Sequence, residues 1–138
     1  MMHTTLYPRT TPAVGQRAQV RKTLTVGDQS LYTGISGNLH PLYVNELHAQ
    51  QASGGTRLAF ELLLGALASH SLAELGGPYR RIGAMQLAFP HAVRIGDTVA
   101  AQVEITRVDD GRVTCSVVCR RDEPADVVAE GSAELVSV

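Results

Sequence analysis

The richest apolar segment of the chain runs from Leu58 to Leu75 and has no polar face. A helix that is apolar on every side must be surrounded by protein or by lipid. Because Glu61, His70 and Glu74 interrupt the segment, it falls short of the eighteen or more apolar residues of a membrane span. The pattern therefore predicts a helix over Thr56–Leu75 at the centre of a protein core.

Apolar and polar residues alternate in most of the remaining chain, and turn signals such as Asp109-Asp110-Gly111 separate the alternating segments. Period-two alternation is typical of strands. The predicted strands are Gln16–Thr25, Met85–Pro90, Val99–Val108, Arg112–Arg121 and Val127–Val138. Before the central helix, the pattern predicts a short amphipathic helix at Val26–Ile35, one or two helical turns at Asn45–Ala52, and a break at Ser53–Thr56 with N-cap chemistry. Antiparallel strands and one apolar helix favour an α+β fold in which the sheet curls round the helix.

The length of 138 residues corresponds to a single domain, predicted at residues 15–138 after a loose lead-in at residues 1–14 that contains Pro8 and Pro12. The net charge of −1, without a basic block, argues against a nucleic-acid surface. The first residues lack the basic and apolar segments of a signal peptide. We expect a cytoplasmic protein that does not enter a membrane.

Two cysteines, Cys115 and Cys119, lie four residues apart on a predicted strand. On one strand face their Cα atoms would be about 13 Å apart, which is too far for a disulfide between them. Without further cysteines or a histidine cluster they make a weak metal site. We expect buried free thiols, and the chain has no motif for a metal, a nucleotide or another cofactor.

A compact polar loop at Ile35–Asn45 is held by Gly37 and Pro41. It resembles the signature of the MaoC-like hydratases, which reads serine, glycine, aspartate, any residue, asparagine, proline, aliphatic, histidine. The segments Leu87–Val99 and Val128–Ala133 are also similar to that family, and the resemblance extends from about Gly15 to Val138. It implies the hotdog fold, a curled antiparallel sheet around a central helix, and an enzyme that adds water to enoyl thioesters.

The resemblance also assigns catalytic positions, and here they hold unusual residues. The family's catalytic aspartate and histidine correspond to Asn38 and Tyr43, and its asparagine corresponds to His40. An amide cannot accept a proton at neutral pH, and a phenol with an unperturbed pKa of about 10 is a poor proton shuttle. Ordinary hydratase activity is therefore expected to be weak or absent. His40 is either a displaced catalytic base or a residue that packs the loop.

In the family, an N–H at the start of the central helix stabilises the enolate oxygen, and it belongs to a glycine that follows a histidine. Without gaps, those two positions are Phe60 and Glu61 here. Glu61 is the only formal charge between residues 58 and 73, and a lone buried carboxylate is usually paired, protonated or functional. Glu61 is therefore either catalytic or paired with an arginine. The candidate arginines are Arg57, Arg80 and Arg81.

Three functions follow from these residues. The first is a hydratase or dehydratase acting on acyl thioesters of coenzyme A or of acyl carrier protein, with Gly37, Phe60 and Leu64 as substrate-binding residues. The second is a thioesterase in which Glu61 acts as base or nucleophile, while Asn38 orients water and Tyr43 binds the carbonyl. The third is a non-catalytic acyl-binding subunit of a heteromeric dehydratase. The open edges of the predicted sheet favour a homodimer.

Overall fold

The computed structural model describes residues 11–138, and most of the predicted lead-in at 1–14 lies outside them. Within that range the chain forms five strands and four helices. In chain order the elements are β1 (Arg17–Thr23), α1 (Val26–Ser36), α2 (Pro41–Val44), α3 (Glu46–Ser53), α4 (Leu62–Gly76), β2 (Arg80–Ala88), β3 (Thr98–Asp109), β4 (Arg112–Arg121) and β5 (Asp126–Ser137).

The five strands form one antiparallel sheet in the order β1-β3-β4-β5-β2. The predicted hairpin connects β3 and β4 through Asp110 and Gly111, whose φ angles of 43° and 76° are both left-handed. Alternate residues of the hairpin face the core, and Val103 pairs with Val117 at its middle. The period-two alternation therefore predicted these strands and their inward faces correctly.

The helix α4 packs against all five strands. Its sheet-facing residues Leu64, Ala68 and Leu72 have no exposed surface. This is the predicted α+β hotdog architecture, with a curled sheet around a central helix. No helix within residues 11–138 is long and apolar enough to cross a membrane.

The outer side of α4 is uncovered in the single chain. Leu62 is 58% exposed, and Ala66 and His70 are exposed as well. The expectation that protein surrounds α4 on every side is thus wrong for one chain, because the sheet covers only one side of the helix.

The predicted start of the central helix is wrong by six residues. Gly54, with a φ of 73°, ends α3 in the left-handed conformation, so the break at Ser53–Thr56 does not cap the next helix. The following residues are extended because their N–H groups bind other elements: Leu58 donates to the Leu42 carbonyl and Ala59 to that of Val93. The helix α4 begins only at Leu62, after these tertiary hydrogen bonds.

The strand β2 also differs from its prediction, since it begins at Arg80 rather than Met85. Its first residues pair with the end of β5, and a register shift between Ile82 and Ala84 breaks the alternation that would have revealed them. Further along the same pair, a Cβ at Gly131 would lie 1.8 Å from the Gln86 carbonyl oxygen. Only glycine permits that close approach of the two backbones.

Cys115 and Cys119 are free and fully buried, as predicted. Burial raises the pKa of both thiols to about 11. They behave as small apolar residues of the core rather than as reactive groups.

Candidate functional site

The signature loop begins where α1 ends. Gly37 has a φ of 72°, and its N–H donates to the Thr33 carbonyl at 2.7 Å, which closes the helix in the left-handed conformation. Glycine adopts that conformation at little cost. Gly37 is exposed, and its role in binding substrate stays a prediction.

The side chains of Asn38 and His40 hold the loop together. The Oδ1 of Asn38 accepts the N–H of His40 at 2.9 Å, and the Nδ1 of His40 accepts the N–H of Leu42 at 3.2 Å, which caps α2. Such local bonds from side chain to backbone are typical of turns and helix caps. Both residues are exposed, and the hydrogen bonds described for their side chains all serve the loop.

Tyr43 and Glu61, two of the predicted site residues, meet directly. The Tyr43 hydroxyl lies 2.8 Å from Oε1 and 2.7 Å from Oε2 of the Glu61 carboxylate. Both side chains are half-buried. Arg57 pairs instead with Glu46 at 3.3 Å, and no ion pair of Glu61 occurs within residues 11–138. Of the two alternatives for Glu61, pairing with an arginine is therefore wrong for the described residues: its partner is a phenol from the signature loop.

Three aromatic rings support this contact. Phe60, which is 2% exposed, lies between Tyr32 and Tyr43, with ring centroids 4.2 Å and 4.4 Å away and nearly parallel planes. The edge of the His40 imidazole also faces Tyr43, with centroids 5.7 Å apart. Ring stacking limits the movement of Tyr43, so its hydroxyl is held toward Glu61.

The surroundings of Tyr43 determine its protonation. Burial, the hydrogen bond to Glu61 and the negative charge of Glu61 raise the pKa of Tyr43 to about 12, with a smaller effect from Tyr32. Tyr43 therefore keeps its proton at neutral pH and donates it in the hydrogen bond. The Glu61 carboxylate is the acceptor, so it is the member of the pair that can take a proton from a substrate or a water molecule.

Glu61 is the N-cap residue of α4, directly before Leu62, and its side chain makes no capping hydrogen bond to the helix. The N–H of Leu63 donates to the Phe60 carbonyl at 3.1 Å, and the N–H of Leu64 donates to the Glu61 carbonyl at 2.9 Å. The N–H groups of Glu61 and Leu62 have no acceptor within residues 11–138. Free donors at a helix N-terminus favour a negative charge. The Glu61 carboxylate thus adjoins backbone donors that suit an oxyanion.

Two open cavities flank the site. One of ≈ 250 Å³ is lined by Gln29, Ser30, Thr33, Tyr43, Val44 and Arg57. A more apolar groove of ≈ 300 Å³ lies between α1 and α4, where Tyr32 and Leu63 form part of its wall. A cavity of ≈ 480 Å³ beside Gly77 and Tyr79 contains none of the predicted site residues.

Leu64, a predicted substrate-binding residue, has no exposed surface and belongs to the central core. Phe60, the other apolar residue in that prediction, is covered by the two tyrosine rings. A substrate would reach either side chain only if these contacts opened. Their role in binding stays a prediction.

Sequence reasoning missed Gln29 and Tyr32, which both contact the site from α1. Gln29 is 3% exposed, and its side-chain amide binds the backbone at Tyr43, Leu58 and Phe60. One signal was available: Gln29 and Tyr32 are three residues apart and share a helix face. A polar residue such as Gln29 on the same helix face as an aromatic residue such as Tyr32 indicates that the polar side chain is buried and hydrogen-bonded.

Comparison with known proteins identifies the family. A family described as MaoC like domain matches residues 9–126. An (R)-specific enoyl-CoA hydratase of Rhodospirillum rubrum is 35% identical over 88% of this chain and 85% of that protein. A 3-hydroxybutyryl-CoA dehydratase of Methylorubrum extorquens is 30% identical over 87% and 77%. The unliganded R-hydratase PhaJ1 of Pseudomonas aeruginosa superposes with a TM-score of 0.82 at 25% identity, over 91% of this chain and 81% of that one. This chain belongs to the MaoC-like domain family.

Proposed function

We propose that this protein is a hydro-lyase that interconverts enoyl and 3-hydroxyacyl thioesters, with Glu61 as its acid–base group. The similar proteins named for enoyl-CoA hydration and for 3-hydroxybutyryl-CoA dehydration support the reaction and the coenzyme A carrier. The observation that carries the proposal is the Tyr43 hydroxyl held against both carboxylate oxygens of Glu61. The cytoplasmic location expected from the sequence, and acyl carrier protein as an alternative carrier, belong to the same proposal.

In the hydration direction, Glu61 removes a proton from water while the water oxygen forms a bond to the β-carbon of the enoyl thioester. The π electrons of the double bond move to the thioester oxygen, which becomes an enolate. The proton now on Glu61 is then delivered to the α-carbon, and the carbonyl is restored. One carboxylate thus serves first as base and then as acid, and dehydration is the same sequence reversed.

The start of α4 would stabilise the negative charge of the enolate. The free N–H groups of Glu61 and Leu62 suit the thioester oxygen, and the helix dipole favours negative charge there. Glu61 is neutral when the enolate exists, because it holds the proton taken from water. The carboxylate therefore does not repel the intermediate, and the negative charge moves from Glu61 to the substrate during the step.

The remaining loop residues support this pair. Tyr43 keeps its proton, orients the Glu61 carboxylate and lowers its freedom to rotate. Asn38 and His40 contribute by shaping the loop that carries Tyr43. We expect the acyl chain to occupy the groove between α1 and α4, where Leu31, Leu63 and Leu67 supply apolar contacts.

Thioester hydrolysis is the second candidate, and the position of Glu61 favours it too. A carboxylate at the start of the central helix can activate a water molecule for attack on the carbonyl carbon, and the same free N–H groups would bind the tetrahedral oxyanion. The two reactions differ in the atom that water attacks and in whether the thiol leaves.

One assay separates the two reactions. Purified protein is incubated with crotonyl-CoA while the absorbance of the conjugated enoyl thioester and the release of free thiol are followed in parallel. Because Glu61 would supply the proton acceptor that Asn38 and Tyr43 do not, we expect loss of enoyl absorbance without thiol release. Weak or absent turnover, which Asn38 and Tyr43 alone predict, would count against Glu61 as the acid–base group. Thiol release at the rate of substrate loss would favour the thioesterase. If neither loss of absorbance nor thiol release occurs, the result would favour a non-catalytic subunit.

The uncovered apolar residues support a homodimer as part of this proposal. β2 is an edge strand with one neighbour, and Leu31, Ile35 and Leu62 are 68%, 88% and 58% exposed. Open edges and apolar surface of this kind are commonly covered by a second subunit. Sedimentation equilibrium at micromolar concentration is expected to give a dimer. A monomer would favour the alternative of a heteromer with a related subunit.

A further inference from the structure

Gln29 is the only buried residue of α1 within the described chain, and it is 3% exposed. Burial of an amide is unfavourable unless its donors and acceptor are all satisfied. An apolar residue would fill this space without that requirement, so the contacts of the amide call for an explanation.

The Gln29 side chain joins three backbone positions. Its Nε2 donates to the carbonyl of Tyr43 at 2.9 Å and to that of Leu58 at 2.8 Å, and its Oε1 accepts the N–H of Phe60 at 3.2 Å. Tyr43 supplies the hydroxyl of the site, and Phe60 directly precedes Glu61. A single amide therefore connects the segment that carries the phenol with the segment that carries the carboxylate.

We propose that Gln29 is a positioning residue that sets the distance between the Tyr43 hydroxyl and the Glu61 carboxylate. The role rests on the proposed function, in which Glu61 moves the proton. Gln29 is 3% exposed and its side-chain donors and acceptor are all bonded to backbone, so it acts through the pair and not on the substrate.

The bonding pattern selects glutamine among residues of similar size. Two donors must face two carbonyl oxygens, while one acceptor faces an N–H. A glutamate carboxylate lacks both donors, and methionine fills the volume but leaves the three backbone groups without partners. Asparagine keeps the amide on a stem one methylene shorter, so it cannot reach all three groups at once.

The test compares Gln29→Met with Ser71→Ala. Ser71 is the other buried polar residue in the described chain; its hydroxyl donates to the Ala101 carbonyl at 3.2 Å, between α4 and β3. Its loss weakens the fold without contact to the pair, which makes it a matched control for stability. Circular dichroism confirms that each variant is folded at pH 10.5 before measurement.

The first readout is the fraction of Tyr43 that is phenolate at pH 10.5, measured by NMR of protein labelled at tyrosine Cζ and assigned with Tyr43→Phe. A pKa of about 12 gives roughly 3% phenolate in the wild type. In Gln29→Met we expect about half or more of Tyr43 to be phenolate at pH 10.5, because the Tyr43 hydroxyl separates from Glu61 and becomes more exposed to water. The titratable groups beside Tyr43, which are Glu61, Tyr32 and His40, are unchanged by either substitution.

The second readout is turnover of crotonyl-CoA. Gln29→Met is expected to lower kcat about tenfold with a smaller change in KM, since the acid–base group is displaced while the binding groove is kept. Ser71→Ala is expected to keep both the phenolate fraction and kcat of the wild type. If Gln29→Met does not fold, Gln29→Asn is measured in its place with the same expectations.

Wild-type phenolate fraction in the Gln29 variant would overturn the proposal, and so would an altered fraction with unchanged turnover. Equal changes in Ser71→Ala would also overturn it, because they would reduce the effect to general loss of stability. Equal turnover in wild type and Glu61→Gln would refute the proposed function, while the phenolate readout would still decide whether Gln29 sets the pair.

Discussion

Leu64, Ala68 and Leu72 line the sheet-facing side of α4 and have no exposed surface, whereas Glu61 at the N-cap of the same helix is partly exposed to solvent. The core side is held mainly by apolar contacts, and the buried hydroxyl of Ser71 there is satisfied by the Ala101 carbonyl of β3. The first turn is held by hydrogen bonds from α1 and α2 to side-chain and backbone atoms. One helix thus carries the stability of the domain along its length and the proposed chemistry at its start.

The difference shows how a small domain can accept a costly carboxylate. In the core, an unpaired charge would be buried away from water, which is costly. At the helix start, a phenol partner, free N–H groups and access to water all moderate the cost of a charge. Substitutions in the two regions should therefore separate stability from activity.

The largest effect is expected for Glu61→Gln. The amide keeps the shape and can still accept the Tyr43 hydrogen bond, but it cannot take a proton from water, so kcat should fall by about 100- to 10,000-fold. The melting temperature should change little. Steady-state turnover of crotonyl-CoA and a thermal melt of the same preparation provide both numbers.

Glu74→Gln is the matched control for that variant, because Glu74 lies on the same helix and pairs with His70 on the surface. It should keep wild-type turnover. Glu61→Gln with full activity would end the catalytic role of Glu61, and the site would then lack an acid–base group near the free donors of α4.

In the core, Leu72→Ala tests the opposite half of the comparison. It should lower the free energy of unfolding by about 2–5 kcal/mol, because it opens a cavity in a fully buried cluster. Turnover per folded molecule should stay near that of the wild type. Urea unfolding provides the free energy, and Leu47→Ala, at a side chain 65% exposed, should change it by no more than about 0.5 kcal/mol.

Tyr43→Phe tests the link between the loop and the helix. The ring stack with Phe60 remains, while the hydroxyl that orients Glu61 is lost, so kcat should fall by about 10- to 100-fold with a small change in melting temperature. If turnover is lost because the Tyr43→Phe variant no longer folds, Tyr43 has a structural role instead. Tyr79→Phe, at an exposed tyrosine that lines a cavity without any of the predicted site residues, controls for loss of a phenol.

The effect that is absent at neutral pH is on alkaline stability, because both regions hold weak acids with raised pKa values. For Cys115 and Cys119 the pKa rises from 9.0 to about 11, and for Tyr43 from 10.0 to about 12. The unfolded chain loses these protons first, so their stabilising contribution is complete below the unfolded pKa and is lost as the pH rises through the folded one.

The free energy of unfolding should therefore fall between about pH 9 and 11 because of the thiols, and between about pH 10 and 12 because of the phenol. Urea unfolding across this range tests the assignment. Replacing both cysteines with alanine should remove the first part of the slope, and Tyr43→Phe should remove the second. An unchanged slope in either variant would contradict the corresponding assignment.

Sequence pattern alone determined most of the sheet. It placed β4 at Arg112–Arg121, as observed, and predicted β3 and β5 to within one residue at each end. These strands have one face in the core and one toward solvent, so the alternation of apolar and polar residues shows which face is buried. The signature loop likewise indicated the family from the sequence alone, because its glycine and proline determine the local backbone conformation and are part of a recognisable motif.

Tertiary structure decided where α4 begins and what Glu61 contacts. Residues 58–60 are apolar and would continue a helix by pattern, yet their N–H groups are taken by Leu42, Val93 and Gln29. Tyr43 and Glu61 are 18 residues apart, and Gln29 and Phe60 are 31 apart. Periodicity reports only which face of an element is buried. It carries no information on which distant side chain satisfies a given polar group, and that choice depends on how the folded elements pack.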